Sequence, residues 1–465
     1  MSYRAQPGAL WLFAICLSLT IVVGCVSAQT GQNLDRSYDA AAVKLRETSR
    51  RSTAAQADAQ VDLADPLERD AIVTQAVACS PALALMAHRA RALVHAGRAE
   101  GALPAAELGF EAWNLPLARP YALGEADMYM VELRQRLPAA GSLDARARAM
   151  AEEAQALLAE LSAEERLVAQ RAAEAFAEYV QAFEEKRLQE QQLALLERMG
   201  QATHARYTTG GAGLADAARI DVELAKAHRA VARIAGDIAR TRSTLNAVLR
   251  RPAGAPLPDP RVVPPETVRL SVQELLARAE ANRGSALSAD ARLRAAGARR
   301  EAAEAEARVP EFMLGLGYWQ DPRMRPGVGV TASMSLPWLW GPGRDRALQA
   351  QEDEAAGRAA RDSVGVDAQA EVTEAHARLA AFEQQMRVLR LQGLPAARRS
   401  MDALRAAFST GNGSLLEWVD VARSFLDLEM EVVGLHCSLA RGIAGLERAV
   451  GTALPRTRID EDTNL

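Results

Sequence analysis

The sequence predicts a duplicated chain of mixed all-α and transmembrane-β class, each half holding one strand pair and one long helical hairpin. Three observations predict it. Two blocks about 200 residues apart resemble each other: Tyr207-Thr208-Thr209-Gly210-Gly211-Ala212-Gly213-Leu214-Ala215-Asp216 and Phe408-Ser409-Thr410-Gly411-Asn412-Gly413-Ser414-Leu415-Leu416-Glu417. Apolar residues step by three, four or seven over long stretches on both sides of each block. Upstream of each, the period changes from 3.6 to 2 over two short runs.

Composition suits long packed helices. Aromatics are 5% of the 465 residues, and alanine, leucine, glutamate and arginine dominate. The 55 basic and 59 acidic residues leave a net charge of −4 with no basic block, so no nucleic acid is expected as partner. No phosphate-cradling glycine loop, HExxH or nucleophile elbow occurs, which argues against an enzyme and against a cofactor. The histidines (His88, His95, His204, His228, His376 and His436) have no ligand spacing, and no metal centre is expected. The Met128/Met130 pair reads as strand filler before it reads as a soft-metal site.

The N-terminus (residues 1–24) reads as an export signal. Arg4 precedes the apolar run Leu10 to Val23, which is short for a membrane span. Val22-Val23-Gly24-Cys25 resembles a lipobox, with acylation expected on Cys25; Val26-Ser27-Ala28 offers an ordinary cleavage site instead. Residues 25–65 are polar and read as a lipid-anchored leader lying along the body. In an oxidising compartment Cys79 and Cys437 remain as thiols, and both a disulfide and two buried free cysteines stay open.

The first repeat is assigned to 66–250. A helix from Pro66 towards Leu103 is divided at Pro81, with Ala71, Ile72, Val77, Leu83, Leu85 and Met86 as buried candidates. Alternation over 104–138 sets Ala106, Leu108, Phe110 and Ala112, then Tyr129, Val131, Leu133 and Leu137, against polar neighbours. That is a strand pair, and also the weak signature of a membrane barrel. A helical hairpin follows over 144–250. Proline-rich 251–267 is the linker.

The second repeat, 268–452, starts with one helix from Ser271 to Arg308. In the strand pair 310–337, Phe312, Leu314, Leu316 and Tyr318, then Val328, Val330, Ala332, Met334 and Leu336, alternate with glycine, serine and threonine. The hairpin 344–452 and a tail, 453–465, complete the chain. Each outgoing helix should run about 64 residues, roughly 95 Å. The two glycine blocks reverse the hairpins, with Ser414 or Asp216 available to cap the return helices.

A lipobox, then helix, strand pair, long helix, aromatic-x-x-Gly turn and helix, all repeated, resembles the TolC family of outer-membrane efflux channels. Leu446-Glu447-Arg448-Ala449-Val450-Gly451 adds to the match. The resemblance covers about residues 66 to 452 and leans weakly to the heavy-metal branch. It implies a homotrimer: four strands per subunit in one shared outer-membrane β-barrel, and helices forming an α-helical tunnel through the periplasm of a Gram-negative cell. Physics supports the trimer separately, since four strands cannot close around a pore and an open edge cannot stand in lipid.

The family works with an inner-membrane efflux transporter and a periplasmic membrane-fusion adaptor. The resemblance implies that Tyr207, Gly210, Gly213, Phe408, Gly411 and Gly413 shape the tips where the adaptor docks. It also implies that Glu417 and Asp420 face the pore at its entrance constriction, with helix capping as the competing role. The expected function is a passive conduit for small solutes, metal ions or drugs. Alternatives are a type I secretion channel exporting a polypeptide, a periplasmic adaptor and a coiled-coil scaffold.

Overall fold

The computed structural model describes residues 65–115, 117–119, 121, 125–321, 326–409 and 414–459. Cys25, the leader to residue 64, Gly411, Gly413, the Phe408 side chain and residues 460–465 lie outside them. The chain divides into two compact units. One is built from 86–159 and 287–364, the other from 65–85, 160–286 and 365–459.

The first unit carries a four-stranded antiparallel sheet of β1 (Glu107–Trp113), β2 (Met128–Leu137), β4 (Phe312–Gln320) and β5 (Gly327–Met334). Its order is β1-β2-β4-β5, so β2 and β4 zip the hairpins of the two repeats into one sheet. The register puts all of one parity on one face. Leu108, Leu133, Leu316 and Val330 form one cross-strand row, and Phe110, Val131, Tyr318 and Val328 the next. These side chains are exposed, Val330 at 77% and Leu108 at 74%. The opposite face holds Glu107, Arg134, Gly315 and Thr331 in one row and Gly109, Glu132, Gly317 and Gly329 in another.

The glycines on that face make room. A Cβ on Gly315 would meet Glu132 Oε1 at 2.3 Å. Cβ atoms on Gly327 and Gly329 would come within 2.6 and 2.3 Å of the Trp319 ring. Flat glycine strands are thus covered by a large side chain from a neighbouring strand.

The helices of this unit include α6 (Gly284–Arg308) and the first parts of α3 (Ser142–Thr208) and α7 (Gly343–Val388). They meet through alanines: Ala147, Ala149, Ala154 and Ala156 on α3, and Ala291, Ala295, Ala298 and Ala302 on α6, are buried. Small seam residues bring the helices close, and ion pairs flank the seam. Arg146–Glu306 and Arg148–Glu301 are each 2.6 Å, Arg299–Glu153 is 2.8 Å, and Arg300–Glu354 is 2.6 Å.

In the second unit the duplication is visible in the core. Ile72 and Ala76 of α1 (Arg69–Ala78) pack with Tyr179 of α3 and with Ile234, Ile238 and Leu245 of α4 (Leu214–Val248). Leu275 and Ala279 of α5 (Val272–Asn282) pack in the same way with Val372 and Leu379 of α7 and Leu439 and Ile443 of α9 (Leu415–Val450). The linker leads into β3 (Glu266–Thr267), which pairs with β6 (Thr457–Arg458), so the segment after Gly451 is tied down.

Several expectations need correction. The proline divides the first helix as expected, with α2 (Pro81–Glu100) beginning on it, but Ala71 and Leu85 are exposed; Ile72, Ala76, Leu83, Ala87 and Ala90 form the buried stripe. The helix expected from Ser271 to Arg308 breaks at Arg283, whose ψ of 115° is extended. Asn282 and Gly284 flank it, and the Arg283 side chain donates to Ala449 O at 3.1 Å. The second outgoing helix is interrupted by a π turn at Leu389–Gly393 before α8 (Leu394–Ser409). Pro395 cannot donate to Leu391 O and its ring crowds that carbonyl, and the wider turn relieves both. Cys79 and Cys437 are buried thiols that form no disulfide with each other, and burial pushes Cys437 up to about 11.

Candidate functional site

The tip of the first hairpin follows from its glycines. α3 ends with Gly210 at φ +76°, and Gly211 N–H returns to Arg206 O at 2.7 Å, a left-handed C-terminal cap. α4 opens with Gly213, whose N–H donates to Asp216 Oδ2 at 3.3 Å. Tyr207, in the last turn of α3, is 43% exposed. His204 and Asp221 tie the two helices one turn further in, at 2.9 Å.

The second tip enters the description at Ser414, whose side chain does not cap α9; of the two capping candidates, Asp216 acts. Ser414 and Leu415 line a small cavity of about 140 Å³ with Thr203, Arg206, Gly211, Ala212 and Asp216. The described parts of the two tips are therefore neighbours. Leu415, Trp418 and Val419 are buried against Leu196, Met199 and Ile220, which anchors the start of α9 on the first hairpin.

That anchoring turns the other face of α9 outward. Glu417 and Asp420 are both exposed, three residues apart and so on one side of the helix. Next along that helix is a residue the sequence reading passed over. Arg423 Nη2 sits 2.5 Å from Glu223 Oε2 on α4, and Lys226 Nζ is 2.8 Å from the other carboxylate oxygen. Burial pushes the Glu223 carboxyl up, but Lys226 and Arg423 together hold it below the ordinary carboxylate range. Asp420 and Asp427 add to the field on Arg423. The signal in the sequence was the 200-residue separation of Glu223 and Arg423, the same as the repeat.

Elsewhere in this unit a cavity of about 450 Å³ is lined by Phe176, Val180, Val433, His436 and Cys437, together with Arg261 and Arg458. Among the described residues no three His, Cys, Asp or Glu side chains are grouped to hold a metal ion, and no single helix is long and apolar enough to cross a membrane.

Residues 275–452 match the family model described as outer membrane efflux protein. No curated protein matches the chain in sequence. Among solved structures, CusC superposes with a TM-score of 0.71 at 17% identity, covering 83% of this chain and 92% of its own; its description concerns folding and transmembrane channel formation. The outer membrane protein VceC from Vibrio cholerae gives 0.69 at 17% identity, covering 83% and 96%. The open state of the Neisseria gonorrhoeae MtrE outer membrane channel gives 0.66 at 19%, covering 82% and 88%. The structural likeness establishes the fold. The match to that family model covers residues 275–452, within the second repeat, and the structural likeness carries the same fold over 83% of the chain.

Proposed function

We propose that the chain is one of three identical subunits of an outer-membrane efflux conduit, a passive path for small solutes between the periplasm and the exterior. The sheet carries this reading. One face is a continuous apolar surface with its large side chains exposed, the other is charged or glycine-rich, and β1 and β5 end it on two unpaired edges. A sheet with an apolar exterior and open edges is stable in lipid only when copies close it into a barrel. Trp338 and Trp340, 55% and 82% exposed just after β5, suit the headgroup level.

The helical unit then forms the periplasmic part. Tyr207, Gly210 and Gly213, with Phe408, Gly411 and Gly413, form the surface that meets a periplasmic adaptor coupled to an inner-membrane transporter. Glu417 and Asp420, brought together by threefold symmetry, line the entrance and favour cations there. Acylation of Cys25 adds an anchor in outer-membrane lipid.

Single-channel recording of the full chain in planar bilayers tests this. The wild type should conduct with cation preference, and Glu417→Gln/Asp420→Asn should lose that preference with assembly intact. A protein that assembles and never conducts contradicts the conduit.

A further inference from the structure

Two tryptophans stand on the wrong face of the sheet. Trp113 and Trp319 share a parity with Glu107, Glu132, Arg134 and Thr331, on the polar side, where apolar burial does not explain them. Glu111, Met130, Trp319 and Gly327 form one cross-strand row, and Trp113 with Met128 the adjacent one. Neighbouring strands lie about 4.8 Å apart, so these five side chains make one contiguous patch.

The patch has a defined chemistry. Trp319 lies flat over Gly327 and Gly329, presenting one indole face away from the sheet. Trp113 is 53% exposed, and its Nε1–H donates to Glu111 Oε2 at 3.1 Å, holding carboxylate and indole together. Met128 and Met130 add polarisable thioethers between the rings. Among the described residues, Arg134 is the cation paired with this face; it is committed to Glu132 at 2.6 and 2.8 Å and stands 3.4 Å from Glu111. Two carboxylates thus share one guanidinium, and Glu111, the more distant of the two, keeps a side chain that is 40% exposed.

We propose that this patch is a binding platform for lipophilic organic cations, set on the lumen face of the barrel near its β1–β2 end. Aromatic faces attract a desolvated cation through their quadrupole, and a carboxylate beside them rejects neutral and anionic solutes of the same shape. A flat site open on one side binds weakly and releases readily, as a conduit requires. The proposal rests on the conduit reading and names a cargo class for it.

Equilibrium dialysis of tetraphenylphosphonium against the assembled full chain in detergent, with protein-free micelles as the blank, tests the site. Saturable retention is expected. Glu111→Gln and Trp113→Leu should each weaken it about fivefold, the size of one exposed cation–π or charge contact. Leu108→Ala, on the opposite face, should bind as the wild type does. Neutral triphenylphosphine oxide should not be retained above the blank.

Wild-type affinity in both Glu111→Gln and Trp113→Leu overturns the proposal, as does equal retention of the neutral probe. So does retention of Ag⁺, lost in Met128→Leu/Met130→Leu, with no retention of tetraphenylphosphonium: that would mark a thioether metal site. Channels that conduct without retaining the probe contradict the platform alone. A protein that does not conduct contradicts the conduit reading beneath it.

Discussion

Arg423 reaches Glu223 at 2.5 Å across 200 residues of sequence, so one return helix is pinned to the other by a carboxylate that is 8% exposed. Arg423→Ala leaves that carboxylate with Lys226 alone. Because Arg423 is half exposed, the expected loss is about 1–2 kcal/mol, below that of a fully buried pair. Glu223 is held below the ordinary carboxylate range, so its contribution is present above that range and is lost as pH falls through the folded value. Denaturant unfolding of wild type and variant should therefore differ at pH 7 and converge in strong acid. An unchanging gap would show that Arg423 acts by packing.

Gly451 ends α9 at φ +84°, where a Cβ would lie 2.5 Å from Asn282 O and 2.7 Å from Arg283 Cα. Both the left-handed conformation and the backbone contact penalise a side chain. Gly451→Ala should lower stability by roughly 2–5 kcal/mol in a denaturant titration. A loss under about 0.5 kcal/mol would mean that the close approach of α5 to the end of α9 is wrong.

The two faces of the sheet differ in what they tolerate. Val330→Arg and Leu133→Arg place a charge on the apolar face and should each cost about 2–4 kcal/mol near the bilayer midplane. Ser333→Arg, on the polar face, should assemble and alter conductance. Heat resistance of the assembled protein, compared across the three variants, reads the difference. Equal tolerance at all three positions would show that the inside–outside assignment of the two faces is wrong.

His436 offers a pH test away from the membrane. Burial, helped by Arg390 and opposed by Glu184, holds its imidazole below the ordinary value of 6.5. The folded chain then binds fewer protons at this site than the unfolded chain, so stability falls as pH drops below 6.5 and the loss is complete below the folded value. Glu429 and Glu447, pushed up by burial, act in the opposite sense, so the comparison must be with His436→Gln. Between pH 7 and about 5 the variant should lose less stability than the wild type. Parallel curves would mean that the imidazole is solvated.

Much of this was legible because the repeat wrote each feature twice. Leu108 and Val330 were assigned to one face from alternation alone, and the register places them in one row. Long-range pairing was not legible. Nothing local marks Gly315 as the floor under the Glu132 carboxylate, because that depends on β2 meeting β4. The break at Arg283 was missed because alanine-rich periodicity on both sides outweighed one Asn-x-Gly. The π turn was missed because the apolar period runs on through it as one helix; Pro395 sits where one inserted residue accommodates it. Glu417 and Asp420 were legible as a pair; Arg423, one turn on, needed the partner helix.

The central claim is that three four-stranded sheets close one barrel. Counting subunits of the full chain in detergent by native mass spectrometry tests it most directly. The account predicts three copies, with β5 of each paired to β1 of the next. A stable monomer or dimer that remains in the membrane fraction would contradict it.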